Sequence, residues 1–538
     1  MAEMTGAQAL VGQLRSEGVD TLFALPGVQM MEAIDAVYEQ GNAMRMIHTR
    51  HEQATTYMAD GYARVTGDVG VAMVVPGPGA LNATAGLGTA FAASSPVLLI
   101  AGQINSAALG KNRGELHEID DQLDIFRPIT KWAHRVTRVE EIPEAVHEAF
   151  WHLRTGRPRP VELEVPPDIL AGTGEAEIIA REDWPRAAPP ASDIERAAAL
   201  LAGAERTAII AGGGVIAADA SAELVAVAER LQAPVMLTQS SKGAIPDEHP
   251  LCLAVNYYVP GPVTELLSRC DAILAVGTRL HIRDDGDLTL PPLVHIDIDP
   301  GEIGKTFATE VGIEADAREG LARLLDELKR LGGEPASRGA EVAAWRTAFM
   351  DDLRNMVPLQ TGMIDTLRAG LDDDAIVVSG VTNIGYWSNV CYPVRTPRSY
   401  ITSSYFGTLG FAFPTALGAK VACPERQVVA LCGDGGFMYA AQELSTAMRY
   451  AINIVAVVFN NNAYGASRWD QTHRFGERFI ATDLHNPDFL KFADSFGVVG
   501  LSTDPAGLGQ ALKEALAAEA PVLLEVEVPV MMPPFQIV

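Results

Sequence analysis

The 538-residue chain is 48% apolar, 20% charged and 7% aromatic, with 49 Gly and 33 Pro spread thinly; this is the balance of a soluble globular protein and excludes collagen-like or low-complexity architecture. Its 41 Lys and Arg stand against 68 Asp and Glu, a formal charge of −27, so the basic footprint of a nucleic-acid or anionic-membrane binder is missing. Cys252, Cys270, Cys391, Cys423 and Cys432 form no CxxC pair, which removes a disulfide scaffold, a zinc ribbon and a thiol redox motif and fits a reducing compartment.

The N-terminal stretch carries Glu3 and no basic segment before a long apolar run, so no secretory signal is expected and the protein reads as cytoplasmic. Short β-rich runs then alternate with helical patterns: 21–25, 71–75 and 97–101, then 207–211, 272–276 and 293–297, then 376–378, 427–431 and 452–459. Such βα alternation predicts parallel sheets covered by helices on both faces. The most apolar region, 69–102, is broken by Pro76, Pro78, Asn82 and several Gly, so it reads as strand, loop and helix and spans no bilayer. Linker-like composition near 172–190 and 332–338 predicts three doubly wound parallel-sheet α/β domains, 1–172, 190–332 and 355–538. No repeat of about 20 to 50 residues is visible, which removes solenoids and propellers.

The strongest chemical signal lies in the third part. The run 427–431 leads into Gly433-Asp434-Gly435-Gly436, then a helix expected from about 438 to 450, then the run 452–459 ending in Asn460-Asn461-Asn462. A right-handed crossover sets the two strand ends side by side at the carboxyl edge, where open α/β sheets bind ligands. Asp434 and Asn461 then face one point. The glycines let backbone N–H groups approach an anion, while a carboxylate and an amide oxygen are hard ligands suited to Mg²⁺. Either half alone is also an ordinary tight βα turn; the pairing describes a magnesium-diphosphate site.

A Gly-Asp-Gly turn and an Asn-Asn pair, separated by one helix, resemble the diphosphate motif of thiamin diphosphate-dependent enzymes. The similarity runs over nearly the whole chain and points to the superfamily of acetolactate synthase, benzoylformate decarboxylase and pyruvate oxidase. It implies pyrimidine-binding, central and diphosphate-binding domains in that order. Arg50-His51-Glu52-Gln53-Ala54 and the helical stretch after it look like the family's pyrimidine-activating Glu, which makes Glu52 the implied catalytic carboxylate. HEQAT is not HExxH, so a zincin site fails. Pro76-Gly77-Pro78-Gly79 and Asn82 are similar to the loop beside the cofactor rings, and Pro26 and Gly27 are implied contacts as well. Gly407-Thr408-Leu409-Gly410 resembles the segment that holds the cofactor bent, with the Gly407 carbonyl and the Leu409 N–H on the pyrimidine and the Leu409 side chain as wedge. Val381, Thr382 and Asn383 occupy the place of a second diphosphate loop. The resemblance further implies Asp434, Asn461 and the Ala463 carbonyl as Mg²⁺ ligands, with Gly433, Gly435, Gly436, Tyr464 and Gly465 about the diphosphate. The implied reaction is decarboxylation of a 2-oxo acid, ending in release of an aldehyde or in ligation to an aldehyde or ketone acceptor as a hydroxyketone.

In the middle part Gly212-Gly213-Gly214, Gly277-Thr278-Arg279 and the run 295–300 resemble the central domain of the acetolactate synthase group, which holds FAD in some relatives. The stretch 256–264 lacks the flavin loop, and Leu280-His281-Ile282 replaces a more acidic segment, so FAD is the less favoured cofactor. Gly301 to Thr306 is an incomplete P-loop, and a helix start is expected there. Asp470 stands where acetolactate synthases carry Trp. His117, Glu118 and Gln122, in an acidic stretch from Leu116, resemble the pocket of decarboxylases whose oxo acid has a cationic tail, although a solvated acidic loop reads the same way. A simple decarboxylase of such a substrate is therefore the alternative to an acetolactate synthase-like carboligase. A non-catalytic relative would need none of Glu52, Asp434 and Asn461, and a nicotinamide oxidoreductase lacks its GxGxxG unit. The family also implies a homodimer or homotetramer with the site at a subunit interface.

Overall fold

The computed structural model describes residues 2–253, 265–281, 289–333 and 335–536. The first sheet contains β2 (Thr21–Ala24), β3 (Arg45–His48), β4 (Gly70–Val74), β5 (Val97–Gly102), β6 (Trp132–Arg135) and β7 (Val161–Val165), in the order β3-β2-β4-β5-β7-β6. The edge ribbon pairs β1 (Ala2–Thr5) antiparallel with β8 (Thr173–Ala176), so the start of the expected linker is a strand. The middle sheet is β10-β9-β11-β12-β13, from Thr207–Ala211 (β9), Val235–Leu237 (β10), Ala272–Val276 (β11), Leu293–Asp297 (β12) and Val311–Glu314 (β13). The third is β15-β14-β16-β17-β19-β18, from Ile376–Ser379 (β14), Tyr400–Thr402 (β15), Val428–Gly433 (β16), Val455–Asn460 (β17), Val499–Thr503 (β18) and Val522–Glu527 (β19). Every pairing within these three sheets is parallel.

The first and third sheets share one strand order although their sequences show no repeat. Both reverse direction of growth between their first strand and the next one inward, β2/β4 and β14/β16, and such a switch point opens a crevice at the carboxyl ends of the strands. β4, β5, β16 and β17 are nearly continuous apolar runs with almost every residue buried, as strands covered on both faces must be.

Helix α1 (Glu52–Thr66) begins where His51 Nδ1 accepts the Gln53 N–H at 3.2 Å and ends at Gly67, φ +78°. Helix α2 (Pro78–Ala93) starts with Pro at its first turn, which has no N–H to leave unsatisfied. In the third part α3 (Asn383–Cys391) follows β14 and α4 (Ala412–Ala422) precedes β16. α1 and α4 touch backbone to backbone: a Cβ on Gly61 would fall 2.1 Å from Thr415 O, and one on Gly418 2.0 Å from Met58 O. That contact gives the first and third domains a common core, in which Tyr57, Met58 and Leu87 join Phe411, Leu417 and Phe437. The middle domain packs its own core against Trp387, Leu431 and Leu524 of the third, and Arg157 Nη1 of the first meets Asp299 Oδ2 at 3.1 Å and Glu302 Oε1 at 2.7 Å.

Residues 301–306 form turns, with Gly304 at φ +74°, where a helix start was expected; the left-handed residue is incompatible with a continuing helical turn. Among the described residues no helix is long and apolar enough to cross a membrane.

Candidate active site

β16 runs directly into the short helix Asp434–Phe437, and Gly433 is the register partner of Phe459 near the end of β17. The two motifs therefore do lie on adjacent strand ends. Asp434 is 2% exposed. Burial pushes its carboxyl up, against the opposing pull of the Asn486 amide and the backbone N–H groups of Gly435 and Ala463. Its Oδ2 accepts from Asn486 Nδ2 at 2.7 Å. At the end of β17, Asn460 Oδ1 accepts the Asn462 N–H and Asn461 Oδ1 accepts the Ala463 N–H, both at 3.1 Å, so consecutive Asx turns shape the loop.

The glycines here are required by space. A Cβ on Gly435 would fall 2.7 Å from the Tyr464 ring, one on Gly433 2.9 Å from Thr382 Oγ1, and one on Gly465 2.6 Å from Asn461 Nδ2. Val381 and Thr382 follow β14 into α3, where Asn383 Nδ2 donates to Met531 O at 2.8 Å and Asn383 Oδ1 is buried with no hydrogen-bond partner. Leu409 Cδ2 stands 3.7 Å from the Cβ position of Gly436, which puts Leu409 beside the Gly-Asp-Gly turn. Gly407, φ +64°, precedes it. One buried carboxylate, amide oxygens and close-approach glycines form a hard, polar cradle suited to Mg²⁺ and a diphosphate. Among the described residues there is no group of three or more His, Cys, Asp or Glu that could hold a metal, so a cation here would depend on this mixed donor set.

In the first domain Glu52 opens α1 with its side chain 12% exposed. Its Oε2 accepts from Asn82 Nδ2 at 2.9 Å, and Oε1 lies 3.7 Å from the Cβ position of Gly79. Val75 is the shared contact of the two loops about it: Cβ atoms on Gly27, next to Pro26, and on Gly79, next after Pro76-Gly77-Pro78, would come within 2.3 and 2.7 Å of its methyl groups.

The expected pocket residues separate. Gln122 is wholly buried; its Oε1 accepts the Gly77 N–H at 2.9 Å and its Nε2 donates to Gly102 O at 3.0 Å. With both ends of the amide engaged on backbone, it shapes the Gly77 turn. His117, φ +71°, places its carbonyl against Gly77 and its ring Nδ1 3.2 Å from Gln29 Oε1. Glu118 Oε2 accepts the N–H groups of Gly114 and Glu115, while Oε1 is buried and has no hydrogen-bond partner. Asp470 stands on the third domain, in the helix Gly465–Arg474, paired with Arg474 at 3.2 Å.

Two residues outside the sequence reading prove structurally central. Asn486 grips Asp434, and Glu443, fully buried just after the Gly-rich turn, receives the N–H of Arg50 beside Glu52. Gln53 Nε2 also reaches Tyr439 O at 2.9 Å.

A separate cleft of about 840 Å³ opens at the carboxyl ends of the middle strands, lined by Gly213, Gly214, Thr278, Arg279, Asp297 and Arg157. Burial pushes Asp297 up to about 6. The 256–264 stretch and Ile282, on which the FAD expectation turned, lie outside the described residues.

Three family models match in succession: the N-terminal thiamine pyrophosphate-binding domain of thiamine pyrophosphate enzymes over 4–125, their central domain over 194–324, and their C-terminal thiamine pyrophosphate-binding domain over 380–526. A probable acetolactate synthase large subunit of Methanocaldococcus jannaschii is 36% identical across 97% of this chain and 92% of its own length. A probable 2-ketoarginine decarboxylase of Pseudomonas aeruginosa is also 36% identical, across 92% and 88%, and the acetolactate synthase isozyme 3 large subunit of Escherichia coli is 32% identical, across 96% and 93%.

Proposed function

This chain belongs to the thiamine pyrophosphate enzymes, and from that premise we propose that it cleaves or forms a C–C bond at the carbonyl of a 2-oxo acid, as an acetolactate synthase-like carboligase or decarboxylase. The observation that carries the reading is the pairing of the buried Asp434 turn with the Asn460–Ala463 turn on adjacent strand ends, in a chain that also holds Glu52 behind a glycine loop. When bound, thiamin diphosphate supplies the electron sink that C–C cleavage beside a carbonyl needs. The residues that would hold it are Gly433, Asp434, Gly435, Gly436, Asn461, Ala463, Tyr464 and Gly465 at the diphosphate and Mg²⁺, Val381 to Asn383 alongside, and Pro26, Gly27, Pro76, Gly79, Asn82, Gly407 and Leu409 about the rings. Glu52, oriented by Asn82, exchanges a proton with the aminopyrimidine. The blocks 1–172, 190–332 and 355–538 serve as pyrimidine, central and diphosphate domains of a cytoplasmic enzyme.

As the family resemblance implies, we assign the site to a dimer interface, in a homodimer or homotetramer, with Glu52 of the first domain from one subunit and Asp434 of the third from the other. Co-expressing Glu52→Gln with Asp434→Ala chains should restore activity that neither has alone, since one site of a mixed dimer keeps both residues. FAD is the less favoured occupant of the middle cleft; flavin absorbance in the supernatant of denatured protein would reverse that choice.

A second reading has its own observation. Glu118 keeps one buried carboxylate oxygen without a hydrogen-bond partner beside the His117–Gly77 contact, and such an oxygen favours a cationic donor, as a 2-oxo acid with a guanidinium tail would supply. One experiment tests both: 2-oxo acids with apolar and cationic tails, each with and without an aldehyde or ketone acceptor, assayed for CO2 and product with Mg²⁺ and thiamin diphosphate added or withheld. Turnover that is indifferent to the cofactor contradicts the proposal.

A further inference from the structure

Asn486 lies in the segment between the helices Gly465–Arg474 and Phe489–Ser495, outside both diphosphate motifs. Its Nδ2 is 2.7 Å from Asp434 Oδ2, 3.0 Å from Asn460 Oδ1 and 3.2 Å from Asn462 Oδ1. An amide nitrogen carries two hydrogens, so three acceptors oversubscribe it. The shortest contact, to the carboxylate, takes one hydrogen as a charge-assisted bond, and the two Asn oxygens share the other. Turning the amide over would set its own oxygen against three oxygens, so the acceptors fix its orientation.

The asparagines it grips are themselves anchored. Asn460 Nδ2 donates to Glu525 Oε1 at 2.8 Å, and Asn462, φ +52°, accepts the Leu484 N–H on its carbonyl at 2.8 Å. One side chain therefore ties the carboxyl end of β16 to the loop beyond β17, the two halves that a shared cation needs in register.

We propose that Asn486 is the positioning residue of the metal site: it engages Oδ2 of Asp434, leaves ligation to the other carboxylate oxygen, and sets the separation between Asp434 and the Asn460–Ala463 turn. This rests on the Mg²⁺ reading above. Partners of metal ligands typically change affinity by about 10- to 100-fold when removed.

The test uses Mn²⁺ as the probe, with free Mn²⁺ counted by electron paramagnetic resonance in the presence and absence of thiamin diphosphate. Wild type should bind Mn²⁺ in a thiamin diphosphate-dependent way, and Asn486→Ala should bind it about 10- to 100-fold more weakly, with a ligand-free melting temperature within about 2 °C of wild type. Asn486→Ser, which retains one hydroxyl donor, should fall between them; if the Ala variant does not fold, the Ser variant decides by the same criterion. Equal Mn²⁺ affinity in wild type and variant overturns the positioning role alone. Wild type without thiamin diphosphate-dependent Mn²⁺ binding overturns the metal reading itself.

Discussion

The buried carboxylate of Glu443 accepts the backbone N–H of Arg50 with both oxygens at 3.1 Å. Thr446 Oγ1 donates to the same carboxylate at 2.6 Å, and burial pushes its pKa up against these hydrogen bonds. The third domain thus holds the loop that launches Glu52. Glu443→Ala should lower stability by about 1–3 kcal/mol, the cost of leaving a donor unpaired. It should also reduce kcat, because the start of α1 loses its anchor. Urea denaturation and steady-state kinetics check the two effects together.

The α1–α4 contact leaves no room for a methyl group at Gly418, because the obstacle is the Met58 backbone and no side chain can swing aside. Gly418→Ala should destabilise by about 1–3 kcal/mol through overpacking, read as a lower denaturation midpoint. Gly362→Ala, where nothing lies within 4 Å of the Cβ position, is the control and should not be destabilised.

Glu162 on β7 is wholly buried with neither oxygen hydrogen-bonded, and burial together with the nearby Glu164 holds its pKa well above the carboxylate range, against the pull of Arg135. A raised acid binds its proton more tightly in the folded state, so its contribution is fully present below the unfolded pKa and is lost as pH rises through the folded one. Glu162→Gln stays neutral throughout. Its melting temperature relative to wild type should therefore climb as pH rises above the ordinary carboxylate range. A difference independent of pH would contradict the buried neutral acid.

Much of this architecture was legible in the chain. VVALCG and VAVVFN are continuous apolar runs ending in Gly-Asp and Asn turns, and β16 and β17 appear where they predict. The burial of β7 was not, because VELEV alternates like a half-solvated strand while Glu162 and Glu164 are both buried. Arg45–His48 and Trp132–Arg135 are edge strands without an apolar run. The helix expected over 438–450 is interrupted: a 3-10 turn, Ala441–Glu443, precedes Leu444–Arg449, and the break coincides with Glu443 turning in to Arg50. The bonds of Gln122 to the backbone of Gly77 and Gly102 were not legible, since sequence does not show an amide's distant partners. Asn486 carried no signal, as Asn-Pro-Asp reads only as a turn.

Asp434→Ala should weaken retention of thiamin diphosphate, because a polyanion then meets a protein of formal charge −27 without its metal anchor. Gel filtration followed by cofactor quantification should show wild type retaining it and the variant losing it, with partial recovery in excess Mg²⁺ and cofactor. Equal retention after dialysis against a chelator would contradict the metal role.

The proposed role of Glu52 is to exchange a proton with the aminopyrimidine and thereby activate the cofactor. Its most direct test is the rate at which C2–H of bound thiamin diphosphate exchanges for deuterium, followed by quenched-flow NMR in wild type and Glu52→Gln. An amide cannot carry the proton, so exchange and turnover should fall together by about 10²- to 10⁴-fold while cofactor retention stays at the wild-type level. Wild-type exchange in Glu52→Gln would remove Glu52 from cofactor activation.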